Sequence, residues 1–245
     1  MSAIKFWTGL SFLTAVLGSV GLLCLGWGVY SVTRGDYLTS VTVLGFAVFS
    51  LGTLLPLYVI KFGRIRPRCE KNTTGTVVRP DRTVDVIFQV AAASECLAMG
   101  LYAIFTPLGM VHIPVPGGMR HYFLIAAAIA AVWGFPSLLK MFCRGGVSSL
   151  RLTAEGFEIR QGLSSAKGAW EEVQAITARP PRGPMPLRGT IFIVFSDGQS
   201  RSLAADSYTP GGHALREWVR FYWTHPDRRV ELTDGRALGR LRSLR

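Results

Sequence analysis

"FQVAAASECLAMGLYAIF" (residues 88–105) is apolar throughout except near its middle, where Glu95 stands. Read as a membrane span, this stretch fixes the organisation of the first 144 residues. The carboxylate is then the residue that needs an explanation.

Three further runs flank it. Phe6–Thr33, Tyr37–Ile60 and Tyr122–Leu139 carry no charge, and in Val86–Met119 the only charge is Glu95. A bilayer core of ~30 Å needs roughly 20 apolar residues in a helix, so each run is long enough or nearly so. Pro107, Pro114 and Pro116 end the third helix early. The spans are predicted at about 6–32, 38–60, 86–106 and 122–140, forming a four-helix transmembrane domain over residues 1–144. The first run is longer than a signal-peptide core and lacks a small-x-small cleavage site, so it is read as a retained span.

Composition agrees. Of the 245 residues 49% are hydrophobic and the mean hydropathy is +0.31, which is high for a chain without membrane segments. The net charge is +12; its placement separates nucleic acid from a membrane face as the partner. The loop between the second and third spans holds Lys61, Arg64, Arg66, Arg68, Lys71, Arg79 and Arg82 against three acids. The loops around Arg34 and after Pro107 are nearly neutral. The positive-inside rule therefore places the basic loop and both termini in the cytoplasm of a plasma-membrane protein. Lys61, Arg64, Arg66, Arg68 and Lys71 are the candidate contacts to anionic inner-leaflet lipid, each worth ~1 kcal/mol near such a surface; the plainer reading is that they only set topology. No aromatic-interleaved basic strand or recognition helix points to nucleic acid.

After Gly145-Gly146 the pattern changes. "SLRLT" (149–153) and "FEIRQ" (157–161) alternate about an "AEG" turn, a hairpin signal. "AKGAW", "EEVQAITAR", "TIFIVF" (190–195) and "QSRSLA" extend the run to about six strands. Thr209-Pro210 then opens an amphipathic helix carrying Ala214, Leu215, Trp218, Val219, Tyr222 and Trp223 on one face, and Pro226 stops it. These elements predict a small β-barrel capped by one C-terminal helix, in a cytoplasmic domain over 145–245. The tail "GRALGRLRSLR" spaces Leu238, Leu241 and Leu244 among arginines and reads either as a basic amphipathic helix that touches lipid or a partner, or as a solvated end.

The succession "LRLTAEGFEIRQG", "AWEEVQAI", "IFIVFSDGQ" and helix resembles the bacterial pleckstrin-homology-like domains, which several families, notably in actinobacteria, attach to transmembrane helices. The likeness covers about residues 147–224. It implies a scaffold or interaction domain at the inner membrane face. It departs from the pleckstrin fold in having six strands rather than seven. Its first hairpin turn is acidic where phosphoinositide-binding members are basic, so headgroup binding at that turn is not carried over.

Catalytic and cofactor signatures are missing. There is no GxxxxGK, GxGxxG, GxSxG or HExxH. His112, His121, His213 and His225 fall at loop or helix ends, and Cys24, Cys69, Cys96 and Cys143 have no metal-ligand spacing. The reading is non-enzymatic, with no catalytic residue, metal or cofactor. Glu95, with Gln89 and Ser94 on the same span, is the candidate intramembrane contact. Three roles compete: a proton or ion relay, a neutral acid bonded within the bundle, and a docking contact to another subunit. Ala91, Ala92, Ala98 and Met99 share its face, which favours close helix approach. The expectation is an accessory or scaffold subunit of a larger membrane assembly, such as a cell-envelope lipid-transport complex, whose partners are other membrane-protein subunits and anionic inner-leaflet lipids. The alternative is a small stand-alone transporter or channel using Glu95.

Overall fold

The computed structural model describes residues 3–62, 65–72, 74–115, 117–162, 164–181 and 189–244; the side chains of 3–7, 71 and 117 are outside the description. The chain divides into two units. One is Ser2–Leu57 with Val86–Gly145, and the other is Tyr58–Asp85 with Gly146–Arg245.

The helical unit is built on α1 (Ala3–Thr33), α2 (Tyr37–Phe62), α3 (Arg82–Phe105) and α4 (Arg120–Cys143). All four are long and apolar enough to cross a membrane. Large apolar side chains cover their outer faces, among them Leu23, Leu97, Val132 and Trp133. A continuous apolar exterior of this extent needs lipid or protein against it. The third helix begins a turn before the predicted 86 because Asp81 caps it: its Oδ1 accepts the Thr83 N–H at 2.8 Å.

Packing in this unit follows a seven-residue period on α2. Leu44 and Leu51 lie against Gly28 and Gly21 of α1. Gly45 and Gly52 lie against Ala98 and Ala91 of α3. Glycine at these positions lets the backbones approach where lipid gives no hydrophobic driving force between helices. The Ser40 hydroxyl donates to the Gly28 carbonyl at 2.9 Å, adding a polar tie between α1 and α2. Beyond α3 the chain folds back on the helices: Val111 is buried with Tyr102 and Ala127.

Among the described residues the β unit holds eight strands where six were expected. The two additional ones come from the basic loop: β1 (Arg68–Asn72) and β2 (Gly75–Arg79) form a hairpin that pairs with β3 (Ser148–Leu152). Then come β4 (Gly156–Gln161), β5 (Ser164–Ala169), β6 (Val173–Thr177), β7 (Thr190–Phe195) and β8 (Ser200–Ala204). They make a five-stranded antiparallel sheet in the order β1-β2-β3-β4-β5 and a three-stranded sheet, β6-β7-β8. The described strands do not close into the expected barrel. A 3-10 turn at Trp170–Glu172 separates β5 from β6, and the free edge of β3 is taken by the loop hairpin. The basic loop, grouped above with residues 1–144, thus folds with the C-terminal residues.

One core joins the sheets to the C-terminal helices. Leu150, Leu152, Ile191, Ile193, Trp170, Trp218 and Tyr222 are among its fully buried side chains. The helix after Thr209 begins as a 3-10 turn at Pro210–Gly212, and α5 runs from His213 to Thr224. The Thr209 hydroxyl accepts the Leu215 N–H at 3.3 Å, one residue into the second turn of the segment. The single capping helix becomes three with α6 (Glu231–Asp234) and α7 (Arg236–Ser243). The tail packs on its own unit: Ala237 and Leu241 are buried, and the Trp218 indole N–H donates to the Ala237 carbonyl at 2.9 Å. An aromatic N–H satisfied on the α7 backbone fixes where that helix docks.

Candidate functional site

Glu95 lies one turn beyond Ala91 on α3. Val86, Val90, Leu97 and Ile104 form the exposed ridge of the helix. Ala91 and Ala98 form its contact line with α2. Cys96 marks the contact with α4, its Sγ 3.9 Å from the Ala131 carbonyl oxygen and facing Gly134. At 100° per residue, Glu95 falls on the arc between those two contact lines and away from the exposed ridge. It is half-buried, and no hydrogen-bond or ion-pair partner reaches it among the described residues. Ser94 is committed elsewhere, since its hydroxyl donates to the Ala91 carbonyl at 2.8 Å. Gln89 is half-buried one and a half turns earlier. The small-residue face predicted around Glu95 is thus occupied, in part, by α2 of the same chain.

The five basic loop residues do not form one patch. Arg68 is on β1 and its guanidinium pairs with Asp85 at 2.5 Å. Asp85 is buried, and its other oxygen accepts the Val147 N–H at 2.7 Å. Arg66 is exposed, and its N–H donates to Asp81 at 2.9 Å. Lys61 is exposed in the last turn of α2. Arg64 and the side chain of Lys71 lie outside the described residues.

Two polar networks were not legible from the sequence. In the helical unit, Asp36 accepts from the Thr39 hydroxyl at 2.7 Å and lies 3.2 Å from His112 Nδ1. Burial pushes the Asp36 carboxyl up, but the Thr39 and His112 contacts more than offset it and hold it below the usual carboxylate range. In the β unit, the buried Glu231 meets Arg240 through two bonds of 3.0 Å and Tyr222 through one of 3.1 Å. Hydrogen bonding from Arg240 holds the Glu231 carboxyl below its ordinary range. Arg240 also stacks on Phe221, 3.9 Å from the ring centre. The Asp36–His112 contact spans 76 residues and the Tyr222–Glu231 and Glu231–Arg240 contacts nine each, so no single-element motif exposes them.

Among the described residues no cluster of three or more His, Cys, Asp or Glu has metal-site geometry. Compared with protein-family models, curated proteins and solved structures, the chain matches none. What the fold defines is a class: four helices long and apolar enough to span a membrane, joined to a small antiparallel β unit with C-terminal helices.

Proposed function

We propose that this chain is a non-enzymatic accessory or scaffold subunit of a larger plasma-membrane assembly, with the β unit and both termini in the cytoplasm. One observation carries the reading. The β unit is assembled from two separate stretches, and the chain passes between it and the helical unit three times, near residues 57, 85 and 145. A module appended at one end of a chain needs one passage; three interleave the β unit with the spans along the chain, which favours a part built into the membrane protein over a separable module. The extensive apolar exterior of α1–α4 supplies surface for neighbouring subunits, and the charge bias of the basic loop supports the orientation.

The resemblance to pleckstrin-homology-like domains is kept within this proposal. It is supported by the run β3–β8 followed by α5, and the basic loop hairpin is an addition to that pattern. A cell-envelope lipid-transport complex is the host assembly proposed.

Glu95 has a second reading, as the proton-accepting group of a small stand-alone transporter, because it is turned from the exposed ridge and lacks a hydrogen-bond or ion-pair partner among the described residues. Purification of the tagged chain from native membranes in mild detergent, with mass and partner identification, separates the two. A defined large complex that is lost in Glu95→Leu supports the subunit reading. A monomer or homodimer that carries out proton-coupled transport, abolished in Glu95→Gln, overturns it.

A further inference from the structure

The segment that joins α3 to α4 is folded onto the helices. A turn closes over residues 106–109, where the Gly109 N–H donates to the Thr106 carbonyl at 3.1 Å. Residues 111–115 then run without regular secondary structure, yet they alternate in burial. Val111 is buried and Ile113 and Val115 pack on the same cluster, while His112 and Pro114 are exposed. The cluster they cover draws on Tyr102 and Met99 of α3, Phe46 of α2, and Leu124 and Ala127 of α4. One strap thus touches three helices.

Apolar contact is non-directional, and two polar fastenings fix where the strap lies. At its start, the Arg120 guanidinium donates to the Thr106 carbonyl at 3.3 Å. At its middle, the His112 N–H donates to the hydroxyl of the buried Thr39 at 2.9 Å, and that hydroxyl passes its own proton to Asp36 at 2.7 Å. The His112 ring reaches the same Asp36 oxygen, with Nδ1 at 3.2 Å. Asp36 also caps α2 by accepting the Thr39 N–H at 3.2 Å. The cap of one helix and the fastening of the strap are therefore one carboxylate. Burial works against its charge, but the Thr39 and His112 contacts outweigh that and hold the carboxyl below its ordinary range.

We propose that residues 106–115 form a proton-sensitive strap over this end of the helical unit, closed when protonated His112 pairs with Asp36 and loosened when His112 is neutral. A neutral imidazole offers at most a hydrogen bond; the protonated ring donates from Nδ1 and adds the opposite charge. The other ionisable groups on the elements around it are Arg34 and Tyr37 beside Asp36, Tyr102 on α3, and Arg120, His121 and Tyr122 at the start of α4. Of these residue types only histidine ordinarily changes charge between about pH 5 and 8. The pair's contribution is thus full in acid and is lost as pH rises through the histidine range. Loosening uncovers an apolar recess among three helix ends, so local acidity sets how far it opens. The α1–α2 and α3–α4 connections share the end of the helices away from the basic loop. Under the proposed orientation that end is the exterior, and only this sidedness rests on that reading.

Amide exchange of residues 106–115 in the full chain in detergent micelles, corrected for intrinsic exchange, tests the strap at about pH 5.5 and about pH 8. Protection is expected to be about two- to fivefold higher in acid, the range of an exposed ion pair. His112→Gln is expected to abolish the difference. Asp36→Asn is expected to do the same while α2 persists, because asparagine also caps helices well. His121→Gln is expected to keep the difference. Equal protection at both pH values in the unaltered chain, a difference that survives His112→Gln, or one that is lost in His121→Gln overturns the proposal.

Discussion

Asp85 and Arg68 are 17 residues apart, one at the start of α3 and the other on the strand that follows α2, and their side chains meet at 2.5 Å. The same carboxylate accepts the Val147 N–H at the entry to β3. One buried acid thus ties the loop hairpin to the strand that templates it. Gly146 stands beside it because a Cβ there would fall 2.6 Å from Asp85 Oδ2.

Replacing Asp85 tests that tie. Asp85→Ala leaves the Val147 N–H without its acceptor and the half-buried Arg68 with only the Pro80 carbonyl at 3.3 Å, and is expected to destabilise the β unit by ~1–3 kcal/mol. Asp85→Asn keeps an acceptor for Val147 and is expected to cost less. Thermal unfolding in detergent, with limited proteolysis of the basic loop, reads both.

The hairpin has a second anchor at the C-terminal end of the chain. The buried Thr76 hydroxyl donates to the Leu232 carbonyl at 2.7 Å. Thr76→Val preserves shape and removes that bond, at an expected cost of about 1 kcal/mol. Amide exchange is expected to rise in α6 as well as in β2. A rise confined to β2 would mean that α6 is held by other contacts.

Helix packing gives a contrast between two glycines. A Cβ at Gly45 would fall 2.9 Å from the Ala98 Cβ and 3.1 Å from the Ser94 carbonyl oxygen. At Gly18 nothing lies within 4 Å. Gly45→Ala is expected to destabilise the helical unit by ~1–3 kcal/mol through overpacking. Gly18→Ala is expected to be neutral, or to gain up to ~1 kcal/mol of helix propensity. Denaturation in mixed detergent micelles compares them. A large loss at Gly18 in the native membrane alone would locate a partner helix there.

The Glu231–Arg240 pair predicts an acid limb of stability. The carboxyl is held lower in the folded chain than in the unfolded one. Its contribution is therefore fully present above the ordinary carboxylate pKa of about 4.3 and is lost as pH falls through the lower folded value. Glu231→Gln is expected to flatten that part of the stability–pH profile. Unfolding midpoints measured between about pH 3 and pH 7 cover the window.

Much of this architecture is present in the sequence because its signals are local. A charge-free run of twenty or more residues has few alternatives to a spanning helix. The "TAEG" turn flanked by alternating residues forms the β3–β4 hairpin, with the Thr153 N–H donating to the Gly156 carbonyl at 2.8 Å. Gly198 takes the left-handed φ of +80° in the β7–β8 turn, a conformation that glycine enters at no steric cost. The buried face of α5 follows from its apolar period.

Other features depended on residues distant in the chain. "RCEKNTTGTVVR" (68–79) places Val78 as its one fully buried apolar side chain among the described residues, with Cys69 partly packed on the core, too weak an apolar alternation to read as strands. It becomes a hairpin because β3 offers a free edge and Gly75 passes where a Cβ would overlap the Leu152 carbonyl oxygen. The tail reads as a free amphipathic helix until the Trp218 indole and the Glu231 carboxylate claim it. Glu95 is conspicuous in the sequence, but only packing shows that α2 covers the small residues beside it. The sequence by itself determined where the chain is apolar, where it turns and which way its charge is biased, since these depend on neighbours a few residues away. The tertiary structure decided which acids and bases meet, because those pairs are made by strand register and helix docking between residues far apart in the chain.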